Sequence, residues 1–174
     1  IKLDKVLIHS NLIGNFQYDN ISAASCIGDY FNVSADKIKK GIESYIPKNN
    51  RTEIVETKNN YIILDAYNAN PSSMYNMIDS FNDLNKENKL CILGDMLELG
   101  SHSKKEHDSI VKEMRNLQIP VIYIGKEFCK SVSIDSFKNI SDFIKTIKLF
   151  NLKNKTILIK GSRGIELEKI VPYL

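Results

Sequence analysis

The chain has 174 residues, a length typical of one domain or of one domain with a substantial appendage. Hydrophobic residues make up 43% and charged residues 26%, which excludes collagen-like, coiled-coil and wholly disordered chains. A formal net charge of +3 is too small to drive non-specific binding to nucleic acid or to a membrane surface, so no nucleic-acid partner is expected.

Targeting signals and cysteines point to a reduced compartment. No apolar run approaches the ~20 residues of a membrane-spanning helix, and the N-terminus has no secretory signal pattern. A cytoplasmic protein without a membrane span is therefore expected. The three cysteines, Cys26, Cys91 and Cys129, are widely spaced and form no CxxC pair. They are predicted to be buried thiols and not metal ligands or disulfides.

The first part of the chain is predicted to be helical. Apolar residues recur at helical spacing between residues 20 and 45, which predicts a pair of helices with Ser34 as the N-cap of the second. The positions expected to face inward are Ile21, Ala24, Gly28, Phe31, Ile38, Ile42 and Tyr45. A polar stretch at residues 47–50 ends this region, and the expected boundary lies between residues 45 and 46.

The rest of the chain alternates short apolar runs with amphipathic segments. Strands are predicted at residues 53–57, 61–65, 90–93, 121–124, 137–140 and 156–160. Helices are predicted between them and after the last strand, with caps at Asn70 before Pro71, at Ser103 in a capping box with Glu106, and at Ser141. This alternation predicts an α/β fold, a doubly wound, mostly parallel Rossmann-like sheet with helices on both faces.

In such a sheet, ligands bind outside the carboxyl ends of the strands. The loop at residues 65–71 places Asp65, Tyr67, Asn68 and Asn70 between a strand end and a helix start. A strand-end carboxylate suits a ribose diol, and a helix N-terminus favours an anion. The alternative is an ordinary turn, in which Asn70 caps the helix and Asp65 accepts from backbone donors.

Two groups of cationic residues suggest anion sites. Arg51 follows the polar stretch and precedes a strand, so it is expected at a surface or hinge. The guanidinium of Arg51 suits a phosphate, although a solvated arginine is the commoner outcome. Lys160, Ser162 and Arg163 lie between the last strand and the segment that follows it, with two glycines. This combination suits a nest for a carboxylate or phosphate, and the alternative is a tight turn with exposed charges. The order of a Walker A loop is absent.

For two further groups of residues, a structural role is at least as common as a functional one. Asp95 and Glu98 lie on one glycine-bounded loop and suit Mg²⁺ or a substrate amine, but the apolar residues between them make a structural role an equal alternative. His107 falls on the inward face of its helix, where a core histidine is commoner than a catalytic base. No Ser-His-Asp order and no GxGxxG motif is found.

Three stretches, ILDAYNANPSSM, ILGDMLELGSHSKKEH and ILIKGSRGIELE, resemble in this order the C-terminal part of the Mur ligases. The segment GNFQYDNISAA, followed by NNRTE, is similar to the end of that family's central domain and its hinge. The resemblance covers essentially the whole chain. It implies that residues 1–45 are a helical remnant of a central ATP-binding domain and that residues 46–174 are a complete C-terminal Rossmann-like domain.

The resemblance also implies an activity. These ligases form an amide at the expense of ATP, through an acyl phosphate that an amine attacks. The type that this chain resembles most adds D-Ala-D-Ala to a UDP-MurNAc-tripeptide in peptidoglycan synthesis, and so serves cell-wall construction, cell shape and division. The family's GKT loop, modified lysine and Mg²⁺ ligands belong to the preceding domain. ATP and Mg²⁺ are thus the expected cofactors, the rest of the central domain is an expected partner, and the chain alone is expected to be inactive.

Site residues follow from the same resemblance. It implies that ATP is bound by Asn20 at the adenine, Arg51 at the phosphates and Asp65 at the ribose, with Tyr67 and Asn68 in the nucleotide-facing loop. It implies that the incoming D-Ala-D-Ala is bound by Asn70, Lys160, Ser162 and Arg163. One departure is Gln17, which stands where the family usually has asparagine.

Two alternatives remain at this point. The chain is a stand-alone Rossmann-like module that binds a nucleotide or peptide without catalysis, or it belongs to another ligase type, such as the folylpolyglutamate or muramoyl-tripeptide ligases, which the YNANP stretch fits poorly. If residues 1–45 lack their partner sheet, Ile21, Ala24, Ile38 and Ile42 are expected to form an exposed apolar patch.

Overall fold

The computed structural model describes residues 2–3 and 6–174. The chain divides into two compact units, Ile1–Pro47 and Lys48–Leu174. The division lies close to the polar stretch that ends the predicted helical pair. The assignment of the first unit to a different domain stays a prediction.

The first unit contains two short strands and two helices. β1 (Lys2–Leu3) pairs antiparallel with β2 (Val6–Leu7), and α1 (Gln17–Tyr30) and α2 (Ala35–Ser44) follow. The predicted helical pair is thus confirmed. Ser34 is the N-cap residue of α2, as predicted, but its side chain makes no capping hydrogen bond.

The core of the first unit is smaller than the helical spacing predicted. Ile21 and Ile38 are buried, and Ile38 packs onto Gly28, where an added Cβ would lie 2.9 Å from its side chain. The prediction was wrong for three positions, which are exposed: Ala24, Phe31 and Tyr45. Phe31 and Tyr45 are the C-cap residues of α1 and α2, where the helical periodicity no longer directs the side chain.

The second unit begins with a hairpin and continues as alternating helices and strands. Its elements are β3 (Glu53–Glu56), β4 (Tyr61–Asp65), α3 (Pro71–Asp83), β5 (Lys89–Gly94), α4 (Ser103–Leu117), β6 (Val121–Ile124), α5 (Phe128–Ser131), β7 (Ser136–Phe137), α6 (Ile140–Thr146) and β8 (Thr156–Lys160). Four 3₁₀ segments are present at Gly100–His102, Ile147–Leu149, Arg163–Ile165 and Leu167–Tyr173. Among the described residues, no helix combines the length and the apolar character needed to cross a membrane.

The six strands of this unit form one sheet in the order β3-β4-β8-β5-β6-β7. Only β3 runs antiparallel to its neighbour, so the predicted mostly parallel sheet is confirmed. β8, the last strand in the sequence, lies between β4 and β5. Its register pairs Lys160 with Asp65 on one side and with Leu93 on the other, which brings three strand ends together.

Both faces of the sheet are covered. Side chains alternate along a strand, so Ile62 and Leu64 share one face of β4 and Ile63 lies on the other. The first face packs with Phe143 of α6, with Ile147 of the 3₁₀ segment that follows it, and with Leu167 and Ile170 of the last 3₁₀ segment. Residues of the opposite parity are equally buried, as are the apolar faces of α3 and α4: Ile63, Cys91, Leu93, Leu158, Met74, Met77, Ile78, Phe81, Ile110 and Met114. Burial on both faces explains why the central strands are continuously apolar.

Of the three N-caps predicted in this unit, one is confirmed and two are wrong. Asn70 caps α3 as predicted, because its Oδ1 accepts from the backbone N–H of Ser73 at 2.9 Å. The capping box at Ser103 was wrong, because a 3₁₀ turn leads into α4 and makes Ser103 its first residue. The cap at Ser141 was also wrong, since Asn139 accepts from the N–H of Asp142 at 2.9 Å.

Two segment predictions also need correction. The strand expected at residues 137–140 is confined to Ser136–Phe137. The closing helix is not an α-helix but two 3₁₀ segments, separated by Glu166 with a positive φ of 59°. Pro172 within the second segment lacks the N–H that an α-helix would need there.

The cysteines are all free thiols but differ in exposure. Cys91 is buried in β5, Cys129 is partly buried, and Cys26 is exposed on α1. The predicted burial was therefore wrong for Cys26. Burial raises the pKa of the Cys91 thiol above its ordinary value, because the thiolate is poorly solvated inside the sheet.

A thiol-reactive reagent should distinguish these positions. In native buffer, we expect Cys26 to react quickly and Cys91 to stay unmodified until denaturant is added, because the thiolate is the reactive species. The time course of 5,5′-dithiobis(2-nitrobenzoate) reduction measures this. A Cys26→Ser variant should lose the fast phase, and rapid native labelling of Cys91 would contradict the burial described above.

Candidate functional site

Polar loops meet at the carboxyl ends of β4, β5 and β8. Because Lys160 pairs in register with Asp65 and Leu93, the loops at residues 65–71, 94–100 and 161–164 leave the sheet side by side. Hydrogen bonds of Ser162 then join the three loops. Its Oγ accepts from the N–H of Leu97 at 2.9 Å and lies 3.4 Å from the carbonyl oxygen of Ala69, and its N–H donates to the carbonyl of Asp95 at 3.1 Å.

A buried ion pair lies under these loops. The Nζ of Lys160 is 2.6 Å from Oδ2 of Asp65, and the two side chains are 2% and 17% exposed. The predicted anion nest treated Lys160 as a free cation, whereas the structure shows its charge neutralised by Asp65. The Asp65 carboxylate is already held by protein donors and keeps lone pairs for one further donor, such as a ribose hydroxyl.

Thr52 is a site residue that the sequence did not reveal. Its N–H and its hydroxyl both approach Oδ1 of Asp65, at 3.1 and 3.4 Å. Thr52 is buried and has a φ of 54°, a left-handed conformation that a β-branched residue adopts at a cost of ~1–3 kcal/mol. Asn49 and Asn50 share this conformation, with φ of 59° and 60°. The Asn-Asn pair was the available signal, since asparagine tolerates this region.

The strained turn places Arg51 on the ring of Tyr67. The guanidinium carbon of Arg51 lies 3.6 Å from the ring centroid, and that of Arg163 lies 5.4 Å from the same centroid. The N–H of Tyr67 donates to the carbonyl of Asn50 at 3.1 Å, which ties the two loops together. Hydrogen bonding and charge from Arg51, followed by the charge of Arg163, lower the pKa of the Tyr67 phenol because they stabilise the phenolate.

Asp95 and His107 form a separate buried network. Asp95 accepts from the backbone N–H groups of Glu127 and Phe128, both at 2.9 Å. His107 donates from Nδ1 to the carbonyl of Ser103 at 2.7 Å, and its Nε2 accepts from the N–H of Met96 at 3.1 Å. His107 is fully buried, so the prediction of a core histidine is confirmed.

For the loop at residues 94–100, the structure favours the structural alternative. Asp95 is buried and has backbone partners, whereas Glu98 is exposed. The two carboxylates therefore do not share an environment. Within residues 2–3 and 6–174, no group of three or more His, Cys, Asp or Glu side chains is arranged to hold a metal ion.

The remaining predicted site residues differ in their availability. Asn68 is exposed, and its carbonyl lies 3.4 Å from Nζ of Lys160. The side chain of Asn70 caps α3, which is the structural alternative given above. Asn20 belongs to the first unit, where its Nδ2 donates to Oε1 of Gln17 at 2.8 Å. The second unit thus brings together seven of the nine predicted residues around Tyr67 and the buried pair: Arg51, Asp65, Tyr67, Asn68, Lys160, Ser162 and Arg163.

Comparisons with known proteins agree on one family. Residues 50–163 match the family model described as "Mur ligase, glutamate ligase domain". The UDP-N-acetylmuramoyl-tripeptide–D-alanyl-D-alanine ligase of Rickettsia prowazekii is 34% identical over 71% of this chain and 29% of its own length. The ligase of the same name from Buchnera aphidicola subsp. Baizongia pistaciae is 34% identical over 94% of this chain and 37% of its own length.

A solved structure shows the same fold. The MurF ligase from Thermotoga maritima in complex with ADP has a TM-score of 0.77 and 22% identity, over 92% of this chain and 38% of that protein. At this identity, the likeness concerns the fold alone. The chain spans less than two fifths of the length of the curated relatives that it matches here.

The buried ion pair generates a prediction about stability. We expect Asp65→Ala to destabilise the second unit by ~3–5 kcal/mol, because it leaves the Lys160 ammonium buried without a counter-ion. Urea unfolding followed by circular dichroism measures the change. The double variant Asp65→Ala, Lys160→Met should recover much of the loss.

The exposed pair of Glu166 and Lys169 provides the matched control. Both side chains are more than half exposed, so Glu166→Ala should change stability by less than ~1 kcal/mol. An Asp65→Ala variant as stable as this control would show that the ammonium of Lys160 is not confined as described.

A second prediction concerns the glycine above Asp95. Gly125 has a φ of 141°, and a Cβ there would lie 2.1–2.3 Å from the atoms of the Asp95 carboxyl group. Gly125→Ala should therefore destabilise the protein by ~2 kcal/mol or more, through both strain and displacement of a buried carboxylate. Gly41→Ala is the control, because an added Cβ meets no atom within 4 Å there. Equal melting temperatures of the two variants would contradict the packing.

Proposed function

Because the chain belongs to the Mur ligase family, we propose that it is the C-terminal part of an ATP-dependent ligase that joins D-Ala-D-Ala to a UDP-MurNAc-tripeptide. The observation that carries this proposal is the gathering of the family-like loops around Tyr67, with Asp65 paired to Lys160 and Arg51 stacked on the Tyr67 ring. The names of the two relatives at 34% identity support the choice of substrates. The reaction belongs to peptidoglycan precursor synthesis, and we place it in the cytoplasm.

The domain organisation is part of the proposal. Residues 1–45 would be the end of a central ATP-binding domain, and residues 46–174 the domain that closes over the nucleotide. The family match at residues 50–163 supports the second assignment. The chain's share of its relatives' length, 29% and 37%, supports the view that most of the enzyme lies outside these residues.

Each side of the candidate site would serve one substrate. On the nucleotide side, Asp65 would accept from the ribose, Arg51 would contact the phosphates, Asn20 the adenine, and Tyr67 and Asn68 would border the nucleotide. On the acceptor side, the incoming D-Ala-D-Ala would meet the loop of Asn70, Lys160, Ser162 and Arg163. Lys160 and Ser162 would act there by holding the loops, since both are buried with protein partners.

The chemistry explains why an arginine belongs here. Transfer of the ATP phosphate to the tripeptide carboxylate places negative charge on phosphate oxygens. So does the release of that phosphate when the amine attacks the acyl carbon. Fixed donors stabilise this charge in a site closed to water. Arg51 presents a permanent charge from a turn held by Thr52 and Asn50. Mg²⁺ would supply further charge neutralisation, and its ligands would lie mainly outside these residues. The chain itself encodes no GxxxxGK[ST] phosphate loop and is expected to be inactive alone.

An assay of the full-length protein tests the proposal. Phosphate release from ATP should require both UDP-MurNAc-tripeptide and D-Ala-D-Ala, and mass spectrometry should show the joined product. Sequence upstream of Ile1 should contain a GKT loop. The 174-residue chain alone should give no turnover, and tight ATP binding by it would favour a stand-alone binding module.

Arg51→Ala should reduce kcat of the full-length enzyme by orders of magnitude, because charge on the transferred phosphate loses a fixed counter-ion. Arg115→Ala is the matched control, since Arg115 is an exposed arginine of α4 away from the site. Circular dichroism should show both variants folded. Unchanged turnover of Arg51→Ala would refute its role.

A further inference from the structure

We propose that Arg51 and Arg163 bind one and the same phosphate group, with the Tyr67 ring as the common support of both guanidinium groups. This inference rests on the proposed function and changes one assignment within it, because Arg163 is moved from the D-Ala-D-Ala side to the phosphate. The family resemblance divides the two arginines between ligands, Arg51 for the ATP phosphates and Arg163 for the carboxylate of D-Ala-D-Ala. In the structure, however, both guanidinium groups lie within about 6 Å of the ring centroid of Tyr67.

The two arginines come from distant parts of the chain. Arg51 lies in the turn before β3, and Arg163 lies in the loop after β8, yet their guanidinium carbons are 3.6 and 5.4 Å from the same ring centroid. A guanidinium stacked over a ring keeps its N–H groups at the edge, where they remain available to a ligand. Two sets of guanidinium donors therefore lie next to one aromatic ring.

The charges of these arginines are not compensated within the part of the chain that the structure describes. Among residues 2–3 and 6–174, neither guanidinium has a carboxylate within 4.0 Å, whereas Lys160 is paired with Asp65. Two like charges held at one ring repel each other. An anion that carries two negative charges relieves this repulsion and gains charge-assisted hydrogen bonds from both sides.

The choice of residue favours a phosphate. The chain has 24 lysines and arginines, of which only Arg51, Arg115 and Arg163 are arginines. Two of these three meet at Tyr67. A single guanidinium fork satisfies the two oxygens of a carboxylate, whereas a phosphate has oxygens for two forks. Lysine would supply equal charge but neither the stacking on the ring nor the bidentate geometry.

Both arginines are positioned by their neighbours in sequence. Thr52 donates from its N–H to the carboxylate of Asp65, and Ser162 donates from its N–H to the carbonyl of Asp95. Both residues are buried, so the backbone on one side of each arginine is fixed. A ligand that binds two preorganised forks loses little entropy of the protein.

The pKa of Tyr67 reports directly on the binding of an anion to the two arginines. The pKa of its phenol is lowered by the two arginines, so an anion that neutralises them should raise this pKa toward its ordinary value. The test is a titration of the 174-residue chain with inorganic phosphate at constant ionic strength, followed by NMR of ¹³C-labelled tyrosine. A Tyr67→Phe variant assigns the signal. We expect one phosphate per chain and a raised Tyr67 pKa.

Lysine variants of the two arginines distinguish one shared phosphate site from two separate sites. Arg51→Lys and Arg163→Lys keep the charge and the fold but lose the fork, and each should weaken phosphate binding about tenfold, the effect of losing ~1.4 kcal/mol. The double variant should lose less than the product of the two single losses, because both act on one ligand. Arg115→Lys should have no effect. Circular dichroism verifies folding in each case.

The opposite results would overturn the inference. These are two phosphates per chain, no Tyr67 shift at the solubility limit of phosphate, or an Arg163→Lys variant that weakens D-Ala-D-Ala binding alone. D-Ala-D-Ala is titrated in parallel, since its carboxylate is the competing anion. The binding readout does not depend on turnover. A full-length enzyme without ligase activity would refute the proposed function but not the binding of phosphate by both arginines. Absence of phosphate binding would refute the inference but not the ligase activity.

Discussion

The buried ion pair between Lys160 and Asp65 is the interaction on which the site depends. Both residues end parallel strands, and the sheet register places them opposite each other. Desolvation of an ammonium is costly, and it is offset only when the counter-ion and further hydrogen bonds are in place. Thr52 supplies such bonds to Asp65, and the strain in its backbone is tolerated because the carboxylate holds it. The turn that presents Arg51 is thereby tied to the centre of the sheet.

The pair also explains how charge is distributed at this edge. The buried cation is neutralised by the protein, whereas the two arginines above it are exposed and share a phenol in place of a carboxylate. The carboxylate of Asp65 is the anion that holds the strand ends together, whereas the anion for the two arginines would come from a ligand. Ser162 connects the two levels, since its hydroxyl and N–H join loops from β4, β5 and β8. Stability and binding are thus assigned to neighbouring residues of the same loop.

Much of this architecture was predictable because the parallel strands are apolar on both faces and lie between clear turn signals. The runs at residues 61–65, 121–124 and 156–160 have the predicted bounds. The pairing of Lys160 with Asp65 was not predictable, since it depends on a register between residues 95 positions apart. The caps at Ser103 and Ser141 failed because a 3₁₀ turn and a better-placed asparagine compete with the local pattern. The left-handed turn at Thr52 contradicts local preference and is maintained by a tertiary contact.

In the first unit, the two helices were predicted correctly but the burial of their side chains was not. The expected apolar patch was Ile21, Ala24, Ile38 and Ile42, but Ile21 and Ile38 are buried within the unit. Other large apolar side chains of the unit are exposed, among them Tyr18, Ile27, Tyr30, Phe31 and Val33. Tyr30 and Phe31 pack edge to face on each other, with 80% and 70% of their surface exposed. Two helices and a two-stranded ribbon have too little interior to bury such residues. An exposed apolar surface of this kind is what a segment of a larger domain presents, and it supports the assignment of residues 1–45 to a central domain.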